Sequence, residues 1–343
     1  ALAPGGPAVH PERAPDNVAT RADRRFGDTE AAHAPIALRV AERYDCGAQH
    51  HACMEPHSVV AAWDAAQRLL DVWTPTQAPR GIAAELAHML DLPADRVRLH
   101  RVGVGGDFGS RVKAGDIEVI AAHLAIASGR PVAIRLDRAE EFAFAKRQHQ
   151  TWIDLASHVD ETGRILVRDA DVTVDNGAFI QGGSNQMNYC SILLASHYAL
   201  KGARVRGRSV YTNSRPGGAF RGAGGPQATF AIESQMDEIA ERLSLDPIEL
   251  RRRNLLPQGA TTITGWQIGS SAADTCLSEV RRLLDWDAAR ARGGSGRGVG
   301  MALAMHVSGA IVAPPTARAT AALEVGQNGG VVLTSGCADS GTG

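Results

Sequence analysis

Nine residues, Gly103-Val-Gly-Gly-Asp-Phe-Gly-Ser-Arg111, combine close backbone approach with an anion-binding turn. Their glycines can adopt positive φ and leave room for a ligand. Successive exposed N–H groups in such a turn form a nest for negative charge. Phe108 is the bulky side chain among them, and an ordinary strand-to-helix turn is the plainer reading of this segment taken alone. A second stretch repeats the pattern: Gly217-Gly-Ala-Phe-Arg221 runs into Gly222-Ala-Gly-Gly-Pro-Gln227 and a helix. A third, Gln49-His-His-Ala-Cys-Met-Glu55-Pro-His57, is polar and rich in histidine. Its spacing matches no helical zinc motif, and Pro56 breaks any helix that could align the rings, so it reads as a polar loop rather than a metal site. The dinucleotide fingerprint fails because its third glycine falls on Phe108, and no Gly-Lys-Ser/Thr follows for a P-loop. A nicotinamide-dependent dehydrogenase is thereby a remote reading. Two glycine loops, each carrying one Phe and one Arg, and a loop with Gln49 point to a site for a phosphorylated planar cofactor.

The elements that must carry these loops follow from periodicity. Residues 97–104 read as a strand leading into the first glycine loop, 116–128 as the helix after it, and 131–136 as a further strand. Residues 36–44 and 68–74 alternate as strands, and 76–90 places Ile82, Leu86 and Leu90 at helical spacing. Residues 152–159 and 164–174 flank Glu161-Thr-Gly163, a hairpin turn. Helix 228–243 turns Ile232, Met236 and Ile239 to one face, so Met236 belongs to the core. Asp246-Pro-Ile-Glu249 caps the next helix, whose basic run Arg251–Arg253 reads as a solvated face at the dipole's carboxyl end. Residues 1–30 read as an irregular tail. Residues 298–307, 320–325 and 331–335 read as strands of a further unit.

The 343 residues suffice for two or three domains. With 44% hydrophobic and 21% charged residues, the chain has the composition of a globular enzyme. A net charge of −1 argues against nucleic-acid or membrane-surface partners, and no apolar run approaches a membrane span. The five cysteines form no CxxC pair, which excludes an Fe–S or zinc framework in this chain and fits a reducing compartment. The chain opens on Ala1 and stops at Gly-Thr-Gly343 inside a glycine-rich turn, so it reads as a fragment or one piece of a larger polypeptide.

Taken together, Gly105-Gly-Asp-Phe-Gly-Ser-Arg111, Gly218-Ala-Phe-Arg-Gly-Ala-Gly-Gly-Pro-Gln227, Ala231–Ala240, Asp246–Asn254 and the Met54-Glu55-Pro56 turn resemble the molybdopterin-binding subunit of the xanthine dehydrogenase and aldehyde oxidase family. The resemblance spans essentially all of the chain. It implies an α+β, mixed-sheet fold: residues 1–30 end a preceding domain, 31–292 form the first molybdopterin-binding domain, and 297–343 begin a second. It implies a molybdenum–pterin cofactor, with or without the cytosine dinucleotide extension, and no direct protein ligand to the metal. Partners would carry 2Fe-2S clusters and FAD, assembled as a dimer of heteromers, in the cytoplasm or in the periplasm where a partner carries an export signal. Such enzymes oxidise a carbon centre with oxygen derived from water.

The same resemblance assigns roles. Gln49 would donate its amide to an oxo ligand of molybdenum. Gly106, Phe108 and Gly109 would line the cofactor, Phe108 and Gly109 offering backbone N–H groups. Arg221 would meet cofactor or substrate oxygens, and Gly341, Thr342 and Gly343 would contact the pterin. Val112 and Tyr189 stand where purine-oxidising members place a glutamate and, nearby, an arginine, which argues against a purine and leaves aldehydes or N-heteroaromatic rings. Gly222 stands where the molybdenum–copper carbon monoxide dehydrogenases place a cysteine, and Thr342 replaces the Gln of a Gly-Gln-Gly turn. Glu55 would be a structural carboxylate, since the family's catalytic glutamate is expected beyond Gly343. The rival reading is a non-catalytic module that only binds cofactor or packs against partner subunits.

Overall fold

The computed structural model describes residues 2–3, 5–33, 35–294, 296–306, 320–336, 339 and 341. The chain divides into two compact units: residues 1–48, 149–214 and 222–306 form the first, and residues 49–148, 215–221 and 307–343 the second.

The first unit is built on a five-stranded mixed sheet in the order Val18–Gly27, Gly202–Tyr211, Ile165–Gly177, Thr151–Val159, Leu38–Cys46. The Gly202–Tyr211 and Ile165–Gly177 strands run parallel and the other pairs antiparallel. Alternation explains the two faces. In Leu38–Cys46, Val40 and Tyr44 are buried while Arg39 and Arg43 face water. The helices Gly183–Ser196 and Gly225–Arg242 pack against the strands. Asp23, Arg206, Asp171, Asp154 and Arg43 stand in register across all five strands, a largely alternating charged row that keeps the outer face solvated.

This unit departs from the sequence reading at several places. Residues 18–27, expected within an irregular tail, form an edge strand paired with Gly202–Tyr211. Arg21, Asp23 and Arg25 face outward, and Thr20, Ala22 and Arg24 occupy the other face, so no apolar alternation marks the strand. The helix Gly183–Ser196 is buried on nearly every side, and therefore lacks the amphipathic period that identifies surface helices. The Glu161–Gly163 turn joins antiparallel strands as expected, with Gly163 at φ +84°. Met236 is fully buried, and Asp246 Oδ1 accepts from the N–H groups of Ile248 and Glu249.

The basic run is corrected. Arg251 is fully buried; its Nε donates to Glu233 Oε2 at 2.8 Å, and Nη1 pairs with Asp237 at 2.8 Å. Arg252 pairs with Glu249 and Asp274 instead of facing open solvent. Glu233 also accepts from the Tyr198 hydroxyl at 2.6 Å and the Leu303 N–H at 2.7 Å. Residues 298–306, expected as a strand, are irregular; Val299 and Met301 pack on Ile248, Leu277 and Trp286, and Val307 lies outside the described residues.

His197 sits 3.7 Å from Glu233, yet burial outweighs that carboxylate and pushes its pKa down to about 4. In the unfolded chain the same imidazole titrates near 6.5, so the unfolded state takes up the proton first. Stability from this group is complete above pH 6.5 and falls through the window from about 6.5 to 4, by roughly 3 kcal/mol in all. His197→Asn should flatten the pH dependence of the urea midpoint across that window. An unchanged slope in the variant would remove His197 from the account.

The second unit holds a four-stranded sheet in the order Val97–His100, Leu69–Trp73, Ser58–Asp64, Val132–Arg135. Val59, Ala61, Leu70 and Val72 from the strands pack with Ile82 and Leu86 of the helix Pro79–Met89 and Ala121 and Ala125 of Asp116–Ser128. Strand Val132–Arg135 pairs with Ser58–Asp64, not with Val97–His100. Residues 101–104, expected to extend that strand, are irregular and already part of the loop. Ala321–Val325 and Val331–Ser335 are strands, as expected, and pair with each other as an antiparallel hairpin with Leu323, Val331 and Leu333 exposed. No described helix is long and apolar enough to cross a membrane.

Candidate functional site

The second unit contains the three loops that carry Gln49, Phe108 and Arg221, and braces each against another. The first glycine loop is organised by Asp107, which is buried. Its Oδ1 accepts from the Gly109 N–H at 2.6 Å and the Arg111 N–H at 3.3 Å, while its carbonyl accepts from the Ser110 N–H and hydroxyl. This turn holds Gly106 at φ +113°, Gly109 at φ +102° and Phe108 at φ +50°. A non-glycine residue held in the left-handed region costs about 1–3 kcal/mol and marks a position that the surroundings enforce. Phe108 is 47% exposed, so the turn presents its ring rather than burying it.

Gly109 is also where the backbone of residues 215–221 approaches. A Cβ on Gly109 would lie 2.7 Å from the Ala219 carbonyl oxygen. The Arg221 N–H donates to the Phe108 carbonyl at 2.9 Å. Gly217 and Gly218 pair in parallel with Arg147 and Gln148, which fixes the approach to this loop. The Arg221 side chain is exposed, and its guanidinium makes no hydrogen bond or ion pair among the described residues.

Residues 49–57 clamp both. Glu55 Oε2 accepts from the Gly105 N–H and, at 2.9 Å, from Arg111 Nη1; Arg111 Nη2 donates to the Glu55 carbonyl at 2.6 Å. The structural role implied for Glu55 has these contacts as its basis. Arg138 donates to the carbonyls of Cys53 and Met54. The three histidines turn to three different partners. His50 lies edge-on to Phe142, His51 Nε2 is 2.7 Å from the Ala219 carbonyl, and His57 Nδ1 is 2.8 Å from Glu141. Burial opposes the Glu141 charge, but hydrogen bonds from His57 outweigh it and leave the carboxyl below its ordinary range. Burial pushes His51 below the ordinary imidazole range, so it is neutral near pH 7. Gln49 is exposed, and its carbonyl accepts from the Gln148 N–H at 2.7 Å.

These contacts also decide what some of the other expected residues can offer. The Gly109 N–H is committed to Asp107, so of the two N–H groups expected to face a ligand only that of Phe108 has no partner among the described residues. Val112 is half-buried in the second unit. Tyr189 belongs to the first unit, where it is buried with its hydroxyl 3.0 Å from His306 Nδ1. Gly222 also belongs to the first unit, at φ +94°. The Gly341 N–H donates to Asp339 Oδ1 at 2.8 Å, and Thr342 and Gly343 lie outside the described residues. Sequence reasoning missed His51, Asp107 and Arg111 as braces. Asp107 had a local signal, an acid before positive-φ residues; His51 had none, because its partner is 168 residues away.

Among the described residues, the arrangement offers an unpaired guanidinium, an exposed amide and a free N–H from cross-braced loops. That donor set suits an anionic or oxygen-rich group.

A molybdopterin cofactor-binding domain model matches residues 9–255. The chain is 30% identical over 82% of its length to the xanthine dehydrogenase molybdenum-binding subunit of Escherichia coli, of which it spans 38%. It is 29% identical over 79% of its length to the nicotinate dehydrogenase large molybdopterin subunit of Eubacterium barkeri, of which it spans 63%. Among solved structures, quinoline 2-oxidoreductase from Pseudomonas putida 86 superposes with a TM-score of 0.87 at 26% identity, covering 95% of this chain and 44% of that one.

Proposed function

The chain belongs to the molybdopterin cofactor-binding family of the xanthine dehydrogenases and aldehyde oxidases, and from that premise we propose that it is part of the catalytic subunit of a molybdenum hydroxylase. Its substrate would be an aldehyde or an N-heteroaromatic ring, oxidised with oxygen derived from water. The observation that carries this reading is the bracing of three loops in one unit, which leaves the Arg221 guanidinium and the Phe108 N–H without partners among the described residues. These free donors fit the oxygen-rich cofactor of the family. When bound, that group supplies the two-electron oxidation. The chain's residues do the rest: Gln49 donates its amide to a cofactor oxygen, Gly106, Phe108 and Gly109 line the cofactor, Phe108 excludes water, and Arg221 steadies negative charge on substrate oxygen. Gly341, Thr342 and Gly343 would add pterin contacts.

At the positions of Val112 and Tyr189, the resemblance supplies no charged residue of the kind that a purine calls for. Relatives named for nicotinate and quinoline support the N-heteroaromatic class. Residues 297–343 would begin the second molybdopterin-binding domain, and the general base would be a glutamate outside this chain. Partner subunits would carry the 2Fe-2S clusters and FAD, with the assembly a cytoplasmic dimer of heteromers. The pterin would be bound with or without the cytosine dinucleotide extension.

Elemental and pterin analysis of the protein, purified with its partner subunits from a cofactor-competent host, tests this directly. About one molybdenum and one pterin per chain are expected, as for a single site; their absence would count against the proposal. In the loaded protein, Arg221→Met should lower turnover of benzaldehyde or quinoline by about ten- to a few-hundred-fold with molybdenum content near normal. Phe108→Ala should lower molybdenum content and turnover together. If Arg221→Met loses the metal while Phe108→Ala keeps it, the two roles are reversed.

A further inference from the structure

His51 stands two residues from Gln49, but its ring serves a distant part of the chain. The geometry points to His51 as a positioning residue that locks the Gln49 loop to the Arg221 loop, an inference that rests on the proposed molybdenum hydroxylase reading. A carbonyl oxygen only accepts, so at 2.7 Å from Ala219 O the His51 Nε2 must carry the hydrogen. Burial lowers the ring below the ordinary imidazole range, so the neutral form carries its hydrogen on Nε2. The ring also lies 4.6 Å from that of Phe220, between Ala219 and Arg221 in the chain. Ala219 is also where Gly109 makes its closest backbone approach, and the Arg221 N–H reaches the Phe108 carbonyl.

The Arg221 loop is therefore held by two other loops. The glycine loop supports it through Gly109 and Phe108, and the Gln49 loop supports it through the His51 donor. Gln49 lies two residues before that donor, with its own carbonyl on the Gln148 N–H. A short stretch anchored at both places cannot shift Gln49 without straining the His51 bond. The exposed Arg221 and Gln49 side chains make no other polar contacts among the described residues that set their spacing. His51 thus acts on the reaction through Gln49 and Arg221 and touches no reacting atom.

The test separates the hydrogen bond from the packing. His51→Phe keeps an aromatic ring against Phe220 and removes the donor; His51→Gln supplies a donor without the ring. In the protein purified with its partners, His51→Phe should lower the single-turnover rate per bound molybdenum about tenfold with benzaldehyde or quinoline as probe, the scale of one hydrogen bond. His51→Gln should recover most of that loss. Combined with Arg221→Met, His51→Phe should cost less than it does alone, because the residue it positions is gone. The second readout needs no cofactor: in cofactor-free protein, hydrogen exchange at residues 219–221 should quicken in His51→Phe and return towards normal in His51→Gln.

Parallel losses of molybdenum, thermal midpoint and turnover, without rescue by His51→Gln, would reduce His51 to a packing residue and overturn the inference. So would unchanged exchange and turnover in His51→Phe. If exchange responds as expected but the wild-type protein binds no molybdenum, the hydroxylase reading fails and His51 retains only its loop-bracing contact.

Discussion

Gly109→Val is expected to collapse the site, with molybdenum content falling below about a tenth of normal and the unit losing at least about 3 kcal/mol. Gly109 has φ +102°, a conformation that a β-branched residue adopts only under strain. Its added Cβ would meet the Ala219 carbonyl oxygen at 2.7 Å, the Ala219 carbonyl carbon at 2.9 Å and the Phe220 nitrogen at 3.2 Å. All three are backbone atoms, so no side chain can swing aside. The Arg221 loop must move, and its N–H bond to Phe108 and the His51 bond to Ala219 go with it. Gly103→Ala is the matched control: its Cβ would meet nothing within 4 Å. Elemental analysis and urea unfolding of both variants decide the matter. A Gly109→Val protein that keeps its metal and its midpoint would show that the loop approach is not required.

Glu233→Ala should destabilise the first unit by about 3–5 kcal/mol, the scale for removing one partner of a buried ion pair. Arg251 bears the loss most directly: it is buried, and of its two carboxylate partners only Asp237, which is half-exposed, would remain. Arg168, also buried, donates to the Leu194 carbonyl at 3.2 Å and feels the charge of Glu233. Burial brings the Arg168 guanidinium down to about 10, so it stays charged at neutral pH. The Tyr198 hydroxyl and the Leu303 N–H lose their acceptor at the same time. Glu233→Gln keeps an acceptor and removes the charge, so it should fall between wild type and alanine. Urea unfolding at pH 7.5 measures all three, and a loss under about 1 kcal/mol in Glu233→Ala would place the variant among ordinary surface changes and refute a stabilising role for Glu233 as the shared acceptor of Arg251, Tyr198 and Leu303.

The N-terminal strand and the buried basic run share a cause with the braces around Ala219. Helix Asp116–Ser128 and the Asp246 cap were legible in the sequence because a helix and its cap bond residues a few positions apart. The hairpin at Gly163 is local in the same way, and so is the demand for positive φ at Gly106 and Gly109. The loops bearing Gln49, Phe108 and Arg221 were recognisable from their composition and order. Their support was not. Val18–Gly27 is a strand because Gly202–Tyr211 supplies its hydrogen bonds, although its side chains carry no apolar alternation. Arg251 is buried because Glu233 lies on the facing helix, whereas the sequence showed only three consecutive arginines. Residue types and short spacings determined the amphipathic helices, the local turns and most of the strands, and identified the loops. Which histidine braces the site, which N–H is left free and which arginine is buried were decided by the tertiary structure, because each depends on a partner brought close only by folding.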